Sequence, residues 1–99
     1  MKIREFQELI ERIYGEKDRA RGIAATYMWF AEEVGELTRA VRRGDDSANL
    51  EEEFADVLAW LTTMASMRGV DLEAAALKKY GRGCPYCSAT PCTCAPKRG

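Results

Sequence analysis

Apolar residues recur at helical spacing from the first turn of the chain. Ile3, Phe6, Leu9, Ile10 and Ile13 fall on one side, while Arg4, Glu5, Glu8, Glu11 and Arg12 cover the other, the rhythm of an amphipathic helix. The pattern predicts that this helix closes near Tyr14-Gly15 and that the highly charged stretch 16–22 is a loop. A second helix is predicted from about Ala24 to Arg43, with Tyr27, Met28, Ala31, Val34, Leu37, Thr38 and Val41 on its apolar side. Arg42 and Arg43 suit its negative end and Gly44 its stop. Asp45, Asp46 and Ser47 form a polar turn with N-cap candidates. A third helix is predicted over roughly Ala48 to Met67, with Leu50, Phe54, Val57, Leu58, Leu61, Met64 and Ala65 facing inward and Arg68-Gly69 at its end. Asp71 can cap a short fourth helix from Leu72 to about Tyr80. No strand alternation and no repeat is visible. Helices on short connections pack as an up-and-down bundle, so the expected fold is all-α, an antiparallel bundle of about four helices.

Length limits that bundle. The chain has 99 residues, room for one domain, and its last fifth is rich in Cys, Gly and Pro. The expected division is a helical domain over 1–82 and a cysteine-rich tail over 83–99. A core built from four-fifths of so short a chain is often completed by a metal or a partner subunit. A net charge of −1 gives no electrostatic footprint for nucleic acid or a membrane surface. The longest apolar run, Val57 to Leu61, is far too short to span a bilayer, and the N-terminus lacks the apolar stretch of a signal peptide. A cytoplasmic location is the expectation.

The candidate chemistry lies in the acids. Helix two carries Glu33 and Glu36, and helix three carries Glu53 and Asp56, each pair three residues apart and therefore neighbours on one face. Sixteen residues separate Glu36 from Glu53, enough to turn and bring helix three back antiparallel, so that four carboxylates converge. Converging carboxylates repel and resist burial. A hard divalent cation relieves both, and oxygen-only ligands suit Mg²⁺ or Mn²⁺. The competing reading puts these acids on solvated faces, paired with Arg39 and Arg42. Gly35 speaks for a site, since glycine inside a helix costs about 1 kcal/mol against alanine and suggests close helix approach or room for a ligand. The chain has no histidine, which excludes the Glu-x-x-His pairs of di-iron bundles.

Glu32-Glu33-Val34-Gly35-Glu36-Leu37, followed by Glu53-Phe54-Ala55-Asp56-Val57-Leu58, resembles the E-E-x-x-E…E-x-x-D signature of the MazG-like nucleoside triphosphate pyrophosphohydrolases. That all-α superfamily includes dimeric dUTPases, dCTP pyrophosphatases and phosphoribosyl-ATP pyrophosphohydrolases. The resemblance covers roughly Ile3 to Tyr80. It implies a bundle completed as a homodimer or homotetramer, with Glu33, Glu36, Glu53 and Asp56 as Mg²⁺ ligands. It also implies Glu32 and Glu33 as catalytic residues, Glu32 positioning the water or acting as base, and cleavage of a nucleoside triphosphate to monophosphate and pyrophosphate. Lys79-Tyr80 resembles a Lys-aromatic pair on the family's last helix, where the lysine meets phosphate and Arg82 could supplement it. Leu77 departs from the pattern, in which Asn is common. Trp29 and Trp60 each lie one turn from an acid and read as core packing or as platforms for a base. Lys17 and Asp18 flank the same region and are either solvated or minor substrate contacts.

The tail contains Cys84, Cys87, Cys92 and Cys94 in a C-x₂-C-x₄-C-x-C array. In a reducing compartment such clustering favours a metal over disulfides. Four thiolates would make a closed, structural Zn²⁺ site; disulfides or free thiols are the alternative. A redox role is disfavoured because no thioredoxin-like βαβ context exists. Two further functional readings stand beside the leading one. One is a helical interaction module with a non-catalytic acid cluster, its tail made slightly basic by Lys97 and Arg98. The other is an enzyme acting on phosphoribosyl-ATP or a nucleotide-like alarmone.

Overall fold

The computed structural model describes residues 1–44 and 46–96; the N-cap candidate Asp45 and the basic residues Lys97 and Arg98 lie outside the described residues. Four helices follow in order: α1 (Ile3–Arg21), α2 (Ile23–Arg43), α3 (Ser47–Met67) and α4 (Leu72–Tyr80). Among the described residues there is no strand, and no helix is long and apolar enough to cross a membrane. The all-α expectation holds, and the bounds of α2, α3 and α4 agree with the sequence pattern to within a residue. Their ends are set by local chemistry. Gly44, at φ 66°, closes α2 in the left-handed conformation that glycine adopts without penalty. Asp46 accepts the Asn49 N–H at 3.1 Å to start α3, and Asp71 accepts the Ala74 N–H at 3.1 Å to start α4, both ordinary N-caps.

The predicted loop over 16–22 is not a loop. Helix α1 runs on through Gly15 to Arg21, and a single residue, Gly22 at φ 86°, separates it from α2. The charges that suggested solvent are satisfied along the helix. Glu11 pairs with Arg19, and Arg21 pairs with Asp18 at 2.9 Å. Asp18 is 4 % exposed and also accepts the Thr63 hydroxyl from α3 at 3.1 Å.

The main contact joins α2 to α3, with α1 laid across both and α4 returning to α1. Short turns make neighbouring helices antiparallel. Gln7, buried in α1, fastens the α3–α4 corner: its amide donates to Ser66 Oγ (3.1 Å) and the Val70 carbonyl (2.8 Å) and accepts the Leu72 N–H (3.0 Å). Arg4 adds pairs to Asp71 and Glu73.

The predicted apolar faces are only partly covered. Among the described residues, Ile10 and Ala40 are the buried apolar side chains; apart from Gly15, the rest of the buried set is polar: Gln7, Asp18, Thr26, Thr62 and Thr63. Tyr27, Val34 and Val41 on α2, and Phe54, Leu58 and Leu61 on α3, are exposed, although the spacing placed the α3 residues inward. One chain is too small to wrap a second layer around the α2–α3 pair.

Candidate active site

The α2–α3 pair builds the site in successive layers. The rings of Trp29 and Trp60 stack across the two helices, with centroids 6.3 Å apart and planes 13° from parallel. Extended along the two helices, the antiparallel register of that pair sets Glu33 against Asp56 one turn on and Glu36 against Glu53 in the next layer. The two residue numbers in each facing pair have the same sum, as an antiparallel register requires. The i, i+3 spacing noted in the sequence therefore puts all four acids on the facing sides of two neighbouring helices.

One carboxylate oxygen each from Glu33, Glu53 and Asp56 lies within 4.8 Å of the others. Glu36 is not in that group of three, but its charge is the strongest acting on both Glu33 and Glu53. Burial, followed by the charges of Glu36, Asp56 and Glu53, pushes the Glu33 carboxyl up to about 7. Burial and then Glu36 and Asp56 raise Glu53 as well, with Arg39 pulling it partly back. Glu33 Oε2 and Glu53 Oε2 are buried without a hydrogen-bond partner. Among the described residues the ion pairs lie elsewhere, so neither Arg39 nor Arg42 forms a direct pair with these acids. Crowded carboxylates with unfilled lone pairs are costly. An all-oxygen donor set of this kind fits a hard divalent cation. A Cβ at Gly35 would meet nothing within 4 Å, so this glycine marks open space, not a close helix crossing.

The family model of the MazG nucleotide pyrophosphohydrolase domain matches residues 21–88, more than half of the chain and both acid-bearing helices. The chain belongs to the MazG family. No curated protein matches it. The MazG match points to a nucleotide substrate and to nucleotide pyrophosphohydrolase activity.

Around the acids of this MazG domain, the other sequence candidates are dispersed. Glu32 is exposed on α2, outside the cluster. Trp29 is 48 % exposed and Trp60 is half-buried, so the tryptophan stack is a partly open surface and not core packing. Arg21, which the sequence reading passed over, lies over the Trp60 ring at 4.9 Å from its centroid and donates to Asp18 and to Thr26 Oγ1 (3.2 Å). The i, i+3 pair Asp18–Arg21 was the available signal, and it was hidden by reading the segment as loop. Lys17 is exposed on α1.

Lys79 and Arg82 are not brought to the acids within the chain. The Lys79 ammonium lies 5.5 Å from the Tyr80 ring centroid, on a helix that packs on α1. Lys79 and Tyr80 instead wall a cavity of about 1300 Å³ together with Cys84, Tyr86, Pro91 and Cys94. Leu77 is exposed nearby. The four tail thiols gather into a second cluster, their sulfurs all within 4.8 Å of one another. Hydrogen bonds from Thr93 and Ala89 draw Cys87 down to about 5, whereas contact with the Cys92, Cys87 and Cys84 sulfurs pushes Cys94 up to about 12.

Proposed function

We propose that this MazG domain hydrolyses a nucleoside or deoxynucleoside triphosphate to the monophosphate and pyrophosphate, with Mg²⁺ or Mn²⁺ held by Glu33, Glu36, Glu53 and Asp56. The observation that carries the proposal is the group of three carboxylate oxygens within 4.8 Å, two of its residues having a buried, unpartnered oxygen. A cation bound there supplies charge neutralisation for the phosphates and a more acidic water. The chain contributes the rest. Glu33 and Glu53 each offer one buried oxygen that has no hydrogen-bond partner to give up. Glu32 and Glu33 are the residues proposed to take the proton of the attacking water, Glu32 keeping an exposed carboxyl beside the cluster. The open face of the Trp29–Trp60 stack supports a base, contributing about 1–3 kcal/mol on the scale of aromatic–base stacking, with Arg21 holding Trp60 from behind.

The working unit is a homodimer or homotetramer, since the exposed apolar side chains of α2 and α3 need a partner. Lys79 and Arg82, at and beyond the end of a helix that packs on α1, are proposed to reach substrate phosphates from a neighbouring copy, with the exposed Lys17 as a further phosphate contact. Residues 1–82 form the hydrolase domain and 83–99 a separate tail; four free thiols suit the reducing cytoplasm. The test is pyrophosphate release from a panel of NTPs and dNTPs with Mg²⁺ or Mn²⁺, and with EDTA as control. Metal-dependent release alongside the monophosphate is the expected result. No release from any nucleotide, phosphoribosyl-ATP included, would reject the proposal.

A further inference from the structure

Beyond the last helix, residues 83–96 hold four thiols that the nucleotide chemistry does not use. The segment has no helix or strand of its own and no apolar core, the situation in which small folds rely on a cross-link or a metal. The sulfurs of Cys84 and Cys94 are 3.8 Å apart, and those of Cys87 and Cys92 are 4.0 Å apart. A disulfide requires about 2.05 Å, and the four cysteines are free. Thiolates surround tetrahedral zinc at about 2.3 Å. The edge of a tetrahedron is about 1.6 times its centre-to-vertex distance, so such sulfurs lie about 3.8 Å from one another. Two independent pairs fall at that edge length, and all four sulfurs keep within 4.8 Å.

The backbone is arranged to serve charged sulfur. The Thr93 N–H donates to Cys87 Sγ, and the Cys94 N–H to Cys92 Sγ, each at 3.3 Å; such bonds orient metal ligands and support their charge. The Ser88 N–H reaches the Cys84 carbonyl at 2.7 Å and the Cys84 N–H reaches the Ala89 carbonyl at 3.1 Å, closing the first turn. Gly83, at φ 105°, stands where that turn meets its other end: a Cβ there would come within 2.6 Å of Thr90 Oγ1.

We infer that Cys84, Cys87, Cys92 and Cys94 bind one Zn²⁺ in a closed, structural site that folds the tail onto the end of α4. The Gly83 N–H bond to the Tyr80 carbonyl, 3.0 Å long, is the fastening point. Soft thiolates select zinc over the hard cation suited to the carboxylates, so the two clusters take different ions. Four protein ligands leave no position for water, which keeps the site out of hydrolysis.

The test uses the full chain purified under reducing conditions, with metals measured by elemental analysis and thiols by titration. One zinc per chain is expected, with the four thiols unreactive until a chelator or denaturant is added. Cobalt substituted for zinc should show the intense visible absorption of tetrahedral thiolate coordination. Cys84→Ser combined with Cys87→Ser should lose the zinc while circular dichroism reports an intact bundle. Metal-free protein with four reactive thiols, iron in place of zinc, zinc retained by the double variant, or an octahedral cobalt spectrum would each overturn the inference. If the double variant aggregates, the cobalt spectrum of the wild-type chain still decides. None of these readouts involves a nucleotide, so this inference and the proposed function fail separately.

Discussion

Among the clustered carboxyls, Glu33 is strongly opposed in its ionisation by its surroundings. Its carboxyl titrates near 7 in the folded, cation-free chain against an ordinary value of 4.5, because burial and the charges of Glu36, Asp56 and Glu53 all penalise the anion. Below the lower value Glu33 is protonated whether the chain is folded or not. Between the two values the unfolded chain releases the proton and the folded chain keeps it, so stability falls as pH rises, levelling off above about 7. Glu53, also raised, acts with the same sign. In EDTA, the melting temperature should therefore drop between about pH 5 and about pH 7. Mg²⁺ should restore most of the loss near neutral pH and do little in acid, since a ligand must be deprotonated to bind. Glu33→Gln should flatten that slope, blunt the Mg²⁺ response and lower turnover by on the order of 10²–10³-fold, the scale for losing one preorganised charge-stabilising group. A Mg²⁺ response equal in acid and at neutral pH would remove Glu33 from the ligand set. The acid pairs were legible in the sequence because i, i+3 adjacency is a local property of a helix. The contact of Arg21 with Trp60 was not, because it depends on how α1 sits against α3, which no local spacing encodes.

Among the elements, α1 departs most from its sequence pattern. Apolar periodicity stops near Tyr14, yet the helix continues to Arg21 because tertiary partners replace the missing apolar face. Asp18 is the pivot, bonded to Arg21 on its own helix and to Thr63 on α3. Asp18→Ala would leave a largely covered guanidinium and a buried hydroxyl without their acceptor. The expected loss is about 3 kcal/mol, the lower end for breaking a buried ion pair, because Arg21 retains some solvent contact. Urea denaturation would measure it, and the same substitution made in a Thr63→Val background should cost less. Equal costs in the two backgrounds would show that the hydrogen bond to α3 contributes nothing. At the other end of α1, the buried side chain of Gln7 is bonded to the α3–α4 corner. Gln7→Leu should destabilise by about 1–3 kcal/mol through the polar groups it leaves unpaired. Amide exchange should show the effect concentrated at Leu72 and the start of α4, and exchange raised uniformly instead would mean that α4 does not depend on this clamp. Such buried polar clamps are invisible to hydropathy patterning, which scores Gln7 and Asp18 as solvent-facing.

For the molecule as a whole, surface and core disagree. The chain exposes 7560 Å², whereas a compact monomer of 11.1 kDa is expected to expose about 5,700 Å². Its radius of gyration of 15.9 Å likewise exceeds the about 13 Å expected for a domain of this length. The cysteine tail, with Tyr86 open to solvent, is one exposed region, and the faces of α2 and α3 are another. Tyr27, Val34 and Val41 repeat every seventh residue along α2, and Phe54, Leu58 and Leu61 follow the i, i+4, i+7 pattern along α3, all exposed. Hydropathy identified these stripes as apolar but could not say whose surface would cover them, because a helix facing its own core and one facing a second copy carry the same rhythm. A symmetric contact that buries both stripes has the apolar centre that a standard specific interface of about 1,200–2,000 Å² in total is built around. Sedimentation of the wild-type chain at micromolar concentration should then give at least a dimer, and the melting temperature should rise with protein concentration, as mass action requires. Leu58→Glu, which places a charge in the middle of the α3 stripe, should shift the population to monomer and abolish the concentration dependence. It should also lower Mg²⁺-dependent turnover without touching an acidic ligand. A wild-type chain that sediments as a monomer and melts at one temperature across a hundredfold dilution would mean that the apolar stripes stay open to solvent or to a different partner. The α2–α3 pair, with its acids, would then have to work from a single chain, and Lys79 would have no route to the site.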